Sequence, residues 1–436
     1  MSKEITLDRK TMPGLALESK INIIEAQSHS LPNGIPVYYV NAGTQDVIKI
    51  EVIFRAGSRE QDVPLVAGST NSMLEEGTKK HTSEEIASLL DYYGSFLETS
   101  VQQDYASVTI YTLGKHLDKA LPILEEIIKE PSFPQSELEI YLHNNKQRFL
   151  VDEQKERVVA AKNFPSLLFG DAHPYGHKTR LEEYDGVKKQ YLEAFHKKYY
   201  TPGNCAIIAS GRVNDTLLNK IGDYFGKDAI NKHSPFTIHD YAPHSAAERV
   251  NYIPSPKKDS VQSAIRMGRL LFHKTHEDAI PFQILNTVLG GYFGSRLMSN
   301  IREDKGYTYG ISSSVIFLQH AGYFNIGSEV GSAVCDAAVI EIYKELDRLC
   351  NEPVPADELQ LVKNYLRGNF MRSMDGPFAL ADRFKHIWLH NMDYSYYENY
   401  VKALSTITSK ELMEMANKYL HKDSIYELVV GAKVKA

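Results

Sequence analysis

The chain has 436 residues, of which 43% are hydrophobic and 24% are charged, a composition typical of soluble globular proteins with two or three domains. Its formal net charge of −6 is small for this length and argues against nucleic-acid or acidic-membrane partners, because no large surface can be strongly basic. The three cysteines, Cys205, Cys335 and Cys350, are widely spaced, which excludes a disulfide framework and C-x-x-C metal sites.

The amino terminus, residues 1–10, lacks the apolar core of a secretion signal. No apolar run in the chain approaches the ~20 residues that a membrane-spanning helix needs. We therefore expect a protein of the reducing cytoplasm without a membrane partner. A chain from which a signal had been removed would show the same pattern.

Apolar alternation and helical periodicity indicate an α+β first half. In the segment HTSEEIASLLDYYG, Thr82 or Ser83 is a helix cap, because Glu85 follows Thr82 by three residues and Gly94 ends the run. The predicted strands are 36–39, 48–55, 106–112 and 205–211, and the predicted helices are 83–93, 117–129 and 137–161.

Residues 67–78, AGSTNSMLEEGT, stand just after a strand, where a helix could carry metal ligands. In its helical part this segment offers only the neutral Ser69, Thr70, Asn71 and Ser72. From the residues alone it is either a structural helix or a catalytic helix that has lost its catalytic residues.

The second half repeats the first. The segment 348–370, RLCNEPVPADELQLVKNYLRGNF, matches 127–149, IIKEPSFPQSELEIYLHNNKQRF, and Phe149 and Phe370 stand 221 positions apart, close to half the chain length. Such self-similarity predicts two duplicated α+β domains, each a mostly antiparallel sheet packed with helices. The predicted strands are 260–270, 308–315 and 322–328, the predicted helices are 279–289, 333–350 and 357–371, and the expected organisation is domains 1–230 and 249–436 joined by the linker 231–248.

None of the histidine pairs has a convincing metal-ligand pattern. His173 and His177 are separated by Pro174 and Gly176, which break a helix and favour a turn. His273 and His276 are expected in a polar loop that caps the next helix, and the H-x-x-E-E string at His81 is explained by the capping box. No H-E-x-x-H or H-x-x-E-H motif occurs, and the Gly-rich segment 289–297 follows a helix, which favours a close-packed helix exit over a phosphate site.

The segment 295–314, SRLMSNIREDKGYTYGISSS, places Arg302 on the last turn of a helix and Tyr309 early in a strand. Gly306 between them permits a sharp reversal that could bring both side chains to one spot. A guanidinium and a phenol are hydrogen-bond donors suited to an oxygen that becomes negative. The same spacing fits a capping arginine and a half-buried tyrosine, so both interpretations stand at this point.

These segments together resemble the insulinase/pitrilysin metallopeptidases, the inverted-motif zincins, and within them the half-size, processing-peptidase-like proteins. The resemblance covers nearly the whole chain, and Arg302 and Tyr309 stand at the positions of the family's Arg/Tyr pair. It is carried by six segments in order: LPNGIPVYYV (31–40), FRAGSRE (54–60), MLEEGT (73–78), HPYG (173–176), YYTPGNCAIIASG (199–211) and LGGYFGSRLMSNIREDKGYTY (289–309).

The resemblance also implies where zinc would be bound in an active member. The first histidine of H-x-x-E-H falls on Gly68, the glutamate base on Asn71 and the second histidine on Ser72, with the third ligand near Gln147. Glycine, serine and glutamine cannot replace zinc's usual ligands, and asparagine cannot take a proton from water. We therefore expect no cofactor in this chain and zinc in a partner subunit.

The resemblance implies a zinc-lacking subunit of a heterodimeric metalloendopeptidase that is inactive alone. Arg302 and Tyr309 would act in trans on unfolded peptides held by a zinc-binding paralogue, and a homodimer is possible when that paralogue is absent. The alternative is a non-catalytic structural or peptide-holding protein of the same fold, in which the Arg/Tyr pair is a remnant. A self-sufficient hydrolase is a weaker third possibility, because no ligand spacing supports it.

Overall fold

The computed structural model describes residues 23–228 and 241–431. Within these residues the strands form two separate sheets. In chain order they are β1 Gln27–Ser30, β2 Pro36–Asn41, β3 Val47–Phe54, β4 Phe96–Val101, β5 Ala106–Leu113, β6 Cys205–Gly211, β7 Val250–Pro254, β8 Gln262–Leu271, β9 Thr308–Phe317, β10 Gly322–Gly331 and β11 Tyr426–Gly431.

Helices pack around both sheets. In chain order they are α1 Val66–Ser72, α2 Ser83–Tyr92, α3 Leu117–Lys129, α4 Gln135–Asp152, α5 Glu156–Phe169, α6 Glu183–Gly186, α7 Lys189–Tyr199, α8 Asp215–Phe225, α9 Ala279–Gly290, α10 Cys335–Asn351, α11 Ala356–Arg372, α12 Pro377–Trp388, α13 Ser395–Thr406 and α14 Ser409–Tyr419. No described helix combines the length and apolar character that a bilayer span requires.

The two sheets confirm the predicted duplicated α+β fold. The first has the order β1-β2-β6-β3-β5-β4 and the second the order β7-β11-β8-β10-β9. Each contains one parallel pair, β2 with β6 and β7 with β11, among antiparallel neighbours. The spatial order β2-β6-β3-β5-β4 therefore has the same arrangement as the whole second sheet, β7-β11-β8-β10-β9. In this correspondence β4 and β9 are equivalent edge strands.

Each half of the chain supplies one helix to the other half's sheet. Helix α5 buries Val159, Ala160, Phe164 and Leu168 together with residues of β8 and β11, whereas α12 buries Leu380 and Ala381 together with residues of β2, β3 and β6. This exchange leaves both sheets covered by apolar side chains on two faces. It also explains why every residue of β3 except Val47 is buried, because a strand covered on both faces has no solvent-facing side.

The predicted helix 137–161 is wrong as a single element. Helix α4 ends at Asp152 and α5 begins at Glu156. None of the three residues between them is a glycine or proline that would have indicated a break in the sequence. The interruption redirects α5 onto the second sheet. The other predicted elements are found within a few residues of their expected bounds, and several short elements, including β4, β7 and β11, were not predicted.

Local signals in the sequence are reproduced in the structure. Thr82 and Glu85 form the expected capping box at the start of α2. Helices α4 and α11, which contain the second part of each repeated segment, both begin directly after a proline, Pro134 and Pro355. All three cysteines are free. Residues 231–240 of the expected linker 231–248 lie outside the described part of the chain. Its remaining residues, 241–248, contain neither helix nor strand.

Candidate functional site

Helix α1 borders a cleft of about 560 Å³ on the first half. Its residues Gly68 and Ser72 are one helical turn apart and therefore share a face. Gly68 lines the cleft, and the Ser72 hydroxyl lies 3.5 Å from that of Tyr141, another lining residue on α4. The carboxyl end of edge strand β4 forms a further wall through Val101. The structure thus brings two of the expected ligand positions to one concave site.

On α4, Asn145 lines the cleft, whereas Gln147, near which the third ligand is expected, does not. Asn145 lies one turn after Tyr141 on α4 and lines the cleft, whereas Gln147 is exposed and points roughly 200° further around the helix. The spacing of Tyr141 and Asn145, two polar residues on one helix face, was the signal that could have identified this wall of the cleft.

The side chains at the expected ligand positions, and those next to them on α4, do not fit a zinc ion. Gly68 has no side chain, and Ser72, Tyr141 and Asn145 present neutral hydroxyl and amide groups where zinc takes imidazole, thiolate or carboxylate. Across residues 23–228 and 241–431, no group of three histidine, cysteine, aspartate or glutamate side chains is arranged to hold a metal.

Asn71, at the position of the general base, is part of the core. Its amide nitrogen donates to the Tyr200 hydroxyl at 3.1 Å and to the Ser107 carbonyl at 3.4 Å. Burial raises the pKa of Tyr200, so the phenol stays neutral beside it. Asn71 is thus a buried packing residue that cannot accept a proton from water.

The histidine pairs behave as predicted. His173 accepts a hydrogen bond from the backbone of Tyr175 at 3.0 Å inside a turn, and His276 accepts one from the backbone of Asp278 at 3.1 Å, just before α9. The exit of α9 is closely packed, because a Cβ on Gly290 would stand 2.6 Å from the Ser313 hydroxyl.

Arg302 lies on a π-helix, Met298–Asp304, at the surface of the second half. Its guanidinium stacks over the exposed ring of Phe293, 4.6 Å from the ring centroid, and one nitrogen approaches the Glu303 carboxylate only to 3.9 Å. A cation on an aromatic face keeps its in-plane donors available. Single π-turns occur often at functional sites, and Phe293 is a neighbour that the sequence did not reveal.

Tyr309 stands on a β-bulge of edge strand β9. The register places Tyr309 and Gly310 opposite the single residue Glu329 of β10, and the Thr308 hydroxyl accepts from the Gly310 backbone at 3.0 Å. A bulge redirects a side chain out of the sheet, and Tyr309 is 98% exposed. The alternative of a half-buried tyrosine is therefore wrong.

The turn between these residues forms as predicted. Gly306 has a φ of 66°, which favours glycine, and the Tyr307 backbone donates to the Ile301 carbonyl at 3.0 Å. This contact places Arg302 and Tyr309 on the two sides of one reversal. Neither side chain lines the cleft beside Gly68.

Comparison with known families matches both halves. Residues 37–171 match a model described as insulinase (peptidase family M16), and residues 186–366 match a model described as peptidase M16 inactive domain. An uncharacterized zinc protease of Mycobacterium leprae is 21% identical over 407 residues, 90% of this chain and 89% of its own. Another of Bacillus subtilis, YmxG, is 23% identical over 365 residues, 81% of this chain and 86% of its own.

Two solved structures share the fold. A peptidase M16 inactive domain from Pseudomonas fluorescens superposes with a TM-score of 0.83 at 24% identity and covers 94% of this chain and 98% of its own. A protease from Helicobacter pylori superposes with a TM-score of 0.84 at 18% identity and covers 94% of this chain and 100% of its own.

Proposed function

Since the chain belongs to the insulinase (M16) peptidase family, we propose that it is the zinc-lacking subunit of a heterodimeric metalloendopeptidase. The observation that carries the proposal is an asymmetry between the halves. The expected ligand positions Gly68 and Ser72 carry no side chain that zinc usually takes, whereas Arg302 and Tyr309 stand at the surface, one on a π-helix and the other on a bulge. Loss of all function would be expected to erode both places.

The chemistry of the pair supports a role in substrate binding. Arg302 offers a charged donor fork and Tyr309 a phenolic donor, and both suit a carbonyl oxygen that becomes negative in peptide hydrolysis. Neither residue reaches the cleft of its own chain. In this proposal they complete the site of a zinc-bearing paralogue, which supplies the metal and the general base.

Edge strands provide the means to bind an unfolded peptide. Both β4 and β9 leave one row of backbone groups unpaired within the described sheets, and β4 ends at the cleft while β9 carries Tyr309. An extended peptide can add to such an edge by backbone hydrogen bonds, which carry little sequence preference. This supports peptides as the substrate class. The free cysteines fit the reducing cytoplasm, which stays part of the proposal.

Mixing the chain with its zinc-bearing paralogue is expected to create peptidase activity that neither subunit has alone. Arg302→Ala or Tyr309→Phe should lower the turnover of the mixture by about tenfold or more, because each removes a donor to the developing oxyanion. The measurement is hydrolysis of an internally quenched, unstructured peptide, with subunit association followed separately by analytical ultracentrifugation.

Arg212→Ala and Tyr92→Phe are matched controls. Both side chains are exposed, and both belong to the first half of the chain, whereas Arg302 and Tyr309 belong to the second. Turnover that is unchanged by Arg302→Ala and Tyr309→Phe would remove the assigned role of the pair. Peptide binding without any activity in the mixture would favour the structural, peptide-holding alternative.

A further inference from the structure

Lys274 is a buried lysine without an acidic partner. It follows β8, is 4% exposed, and none of the described carboxylates comes within ion-pair distance of its amine. Its amine contacts both ring nitrogens of His386 on α12, Nδ1 at 3.0 Å and Nε2 more closely. A buried ammonium normally requires a carboxylate to offset its lost hydration, so this amine is unusual within the molecule.

The chain contains its own matched comparison. Lys49 is 5% exposed, but its amine donates to Asp382 at 2.6 Å and stands 3.7 Å from Glu51. Burial alone would lower the pKa of Lys49, yet these two carboxylates outweigh it and raise that pKa. Burial, with a smaller contribution from the cation of Arg383, lowers the pKa of Lys274 to about 7.

Aromatic and imidazole groups surround the Lys274 amine. It lies 5.2 Å from the ring centroid of Tyr396 and 5.7 Å from that of Phe317. The ionisable groups around this region are Arg383 and His386 of α12, His390 just after α12, His273, His276 and Glu277 of its own loop, Asp393 just before α13, Tyr396 in its first turn, and Asp278, which is bound by Lys418 and Tyr419 of α14. Asp393 accepts from the Ser395 backbone at 2.9 Å. Glu277 also lines the cavity beside Lys274, but none of these described carboxylates forms an ion pair with its amine.

Lys274 lines a cavity of about 450 Å³ between α9 and α13. This volume is in the range of small-molecule sites. The walls combine apolar side chains, Ile280, Pro281, Met392 and Ala403, with polar and charged ones, among them His276, Glu277 and Asp393. The two carboxylates disfavour an anion, and the apolar side chains suit a small uncharged molecule.

We propose that Lys274 is a nucleophilic amine that forms an imine with small, uncharged aldehydes entering this cavity, with His386 transferring the protons. The proposal needs no zinc partner and is independent of the function assigned to Arg302 and Tyr309. It gives the chain a covalent ligand site in its second half, apart from the cleft beside α1.

The reaction balances without an oxidant or reductant. The nitrogen lone pair attacks the carbonyl carbon, the C=O π bond breaks, and a proton moves from nitrogen to oxygen to give a carbinolamine. His386 then takes the remaining proton from nitrogen and supplies one to the hydroxyl. The C–O bond breaks, water leaves and the C=N bond forms, so amine and aldehyde become imine and water.

Reductive labelling of the full, folded chain tests the proposal. Benzaldehyde and sodium cyanoborohydride at pH 7 should benzylate Lys274 roughly 100-fold faster than an average surface lysine, because about half of its amine is neutral there against roughly one in 2,500 for an ordinary lysine. The site is mapped by tryptic mass spectrometry. The labelling rate should reach half its maximum near pH 7, while Lys49 remains unlabelled.

Two variants sharpen the result. Lys274→Met has a similar volume and should abolish the fast phase, and His386→Asn should slow labelling of Lys274 about tenfold while the site remains the same. Labelling of Lys274 in the native chain no faster than that of Lys49, or a rate that rises only above pH 9, would overturn the proposal. That comparison needs no variant, so it decides even if Lys274→Met fails to fold.

Discussion

The variant Gly68→His/Ser72→His/Asn145→Glu is expected to bind one zinc ion with a Kd on the order of 1 µM or tighter. A Cβ on Gly68 meets no atom within 4 Å, so the cleft has room for an imidazole there. Ser72 is one turn away, and Asn145 faces the same cleft from α4. Two histidines and a glutamate are a common set of ligands for a zinc ion with an open position.

The matched control is Gly68→His/Ser72→His/Gln147→Glu, which contains the same ligand types. Its glutamate is on the exposed side of α4, so we expect its zinc affinity to be weaker by about 100-fold. Competition with a chromophoric chelator measures both constants. Equal affinities would mean that the orientation of α4 assigned here is wrong. Neither variant should hydrolyse peptides alone, because Asn71 still cannot act as a base.

Glu51→Ala is expected to lower the free energy of unfolding by about 3 kcal/mol. Glu51 is 3% exposed on β3 and accepts from Lys385 of α12 at 2.9 Å, with Lys49 at 3.7 Å. Without Glu51, the ammonium groups of Lys49 and Lys385 keep only one carboxylate partner, Asp382. The side chain of Asp382 is 53% exposed, so it offsets their burial only weakly. Urea unfolding followed by circular dichroism measures the difference.

The pH dependence of the stability lost in Glu51→Ala follows from the pKa values of Lys49 and Lys385. Burial would lower the pKa of Lys385, but Glu51 outweighs it and raises that pKa, as the carboxylates do for Lys49. A raised folded pKa contributes stability below the unfolded pKa of about 10.4 and loses it as the pH rises through the folded value. The deficit of Glu51→Ala should therefore persist at neutral pH and shrink only above about pH 10.4.

Asp382→Asn is the control, because it removes the exposed partner of the same network. We expect it to cost about 1 kcal/mol or less. A Glu51→Ala variant as stable as Asp382→Asn would contradict the view that this buried carboxylate joins the first sheet to α12. The comparison also tests the helix exchange, since Glu51 and Lys385 belong to different halves.

Much of the local structure was predictable because its causes are local. The capping box of Thr82 and Glu85, the reversal at Gly306 and the repeat containing Phe149 and Phe370 each depend on residues close in the chain or on a fixed spacing. The neutral side chains at Gly68 and Ser72 also required no coordinates, because those residue types cannot replace zinc's usual ligands in any fold. The sequence by itself therefore determined the duplicated α+β architecture and the unsuitability of these positions as zinc ligands.

Only the tertiary structure decided which surfaces meet. Periodicity marks an apolar face but does not say which sheet covers it, so the exchange of α5 and α12 could not be foreseen. The same limit applies to the placement of Asn145 in the wall of the cleft, to the bulge that exposes Tyr309 and to the burial of Lys274 beside His386. Each depends on contacts between residues far apart in the chain, whose closeness is set by packing and backbone pairing.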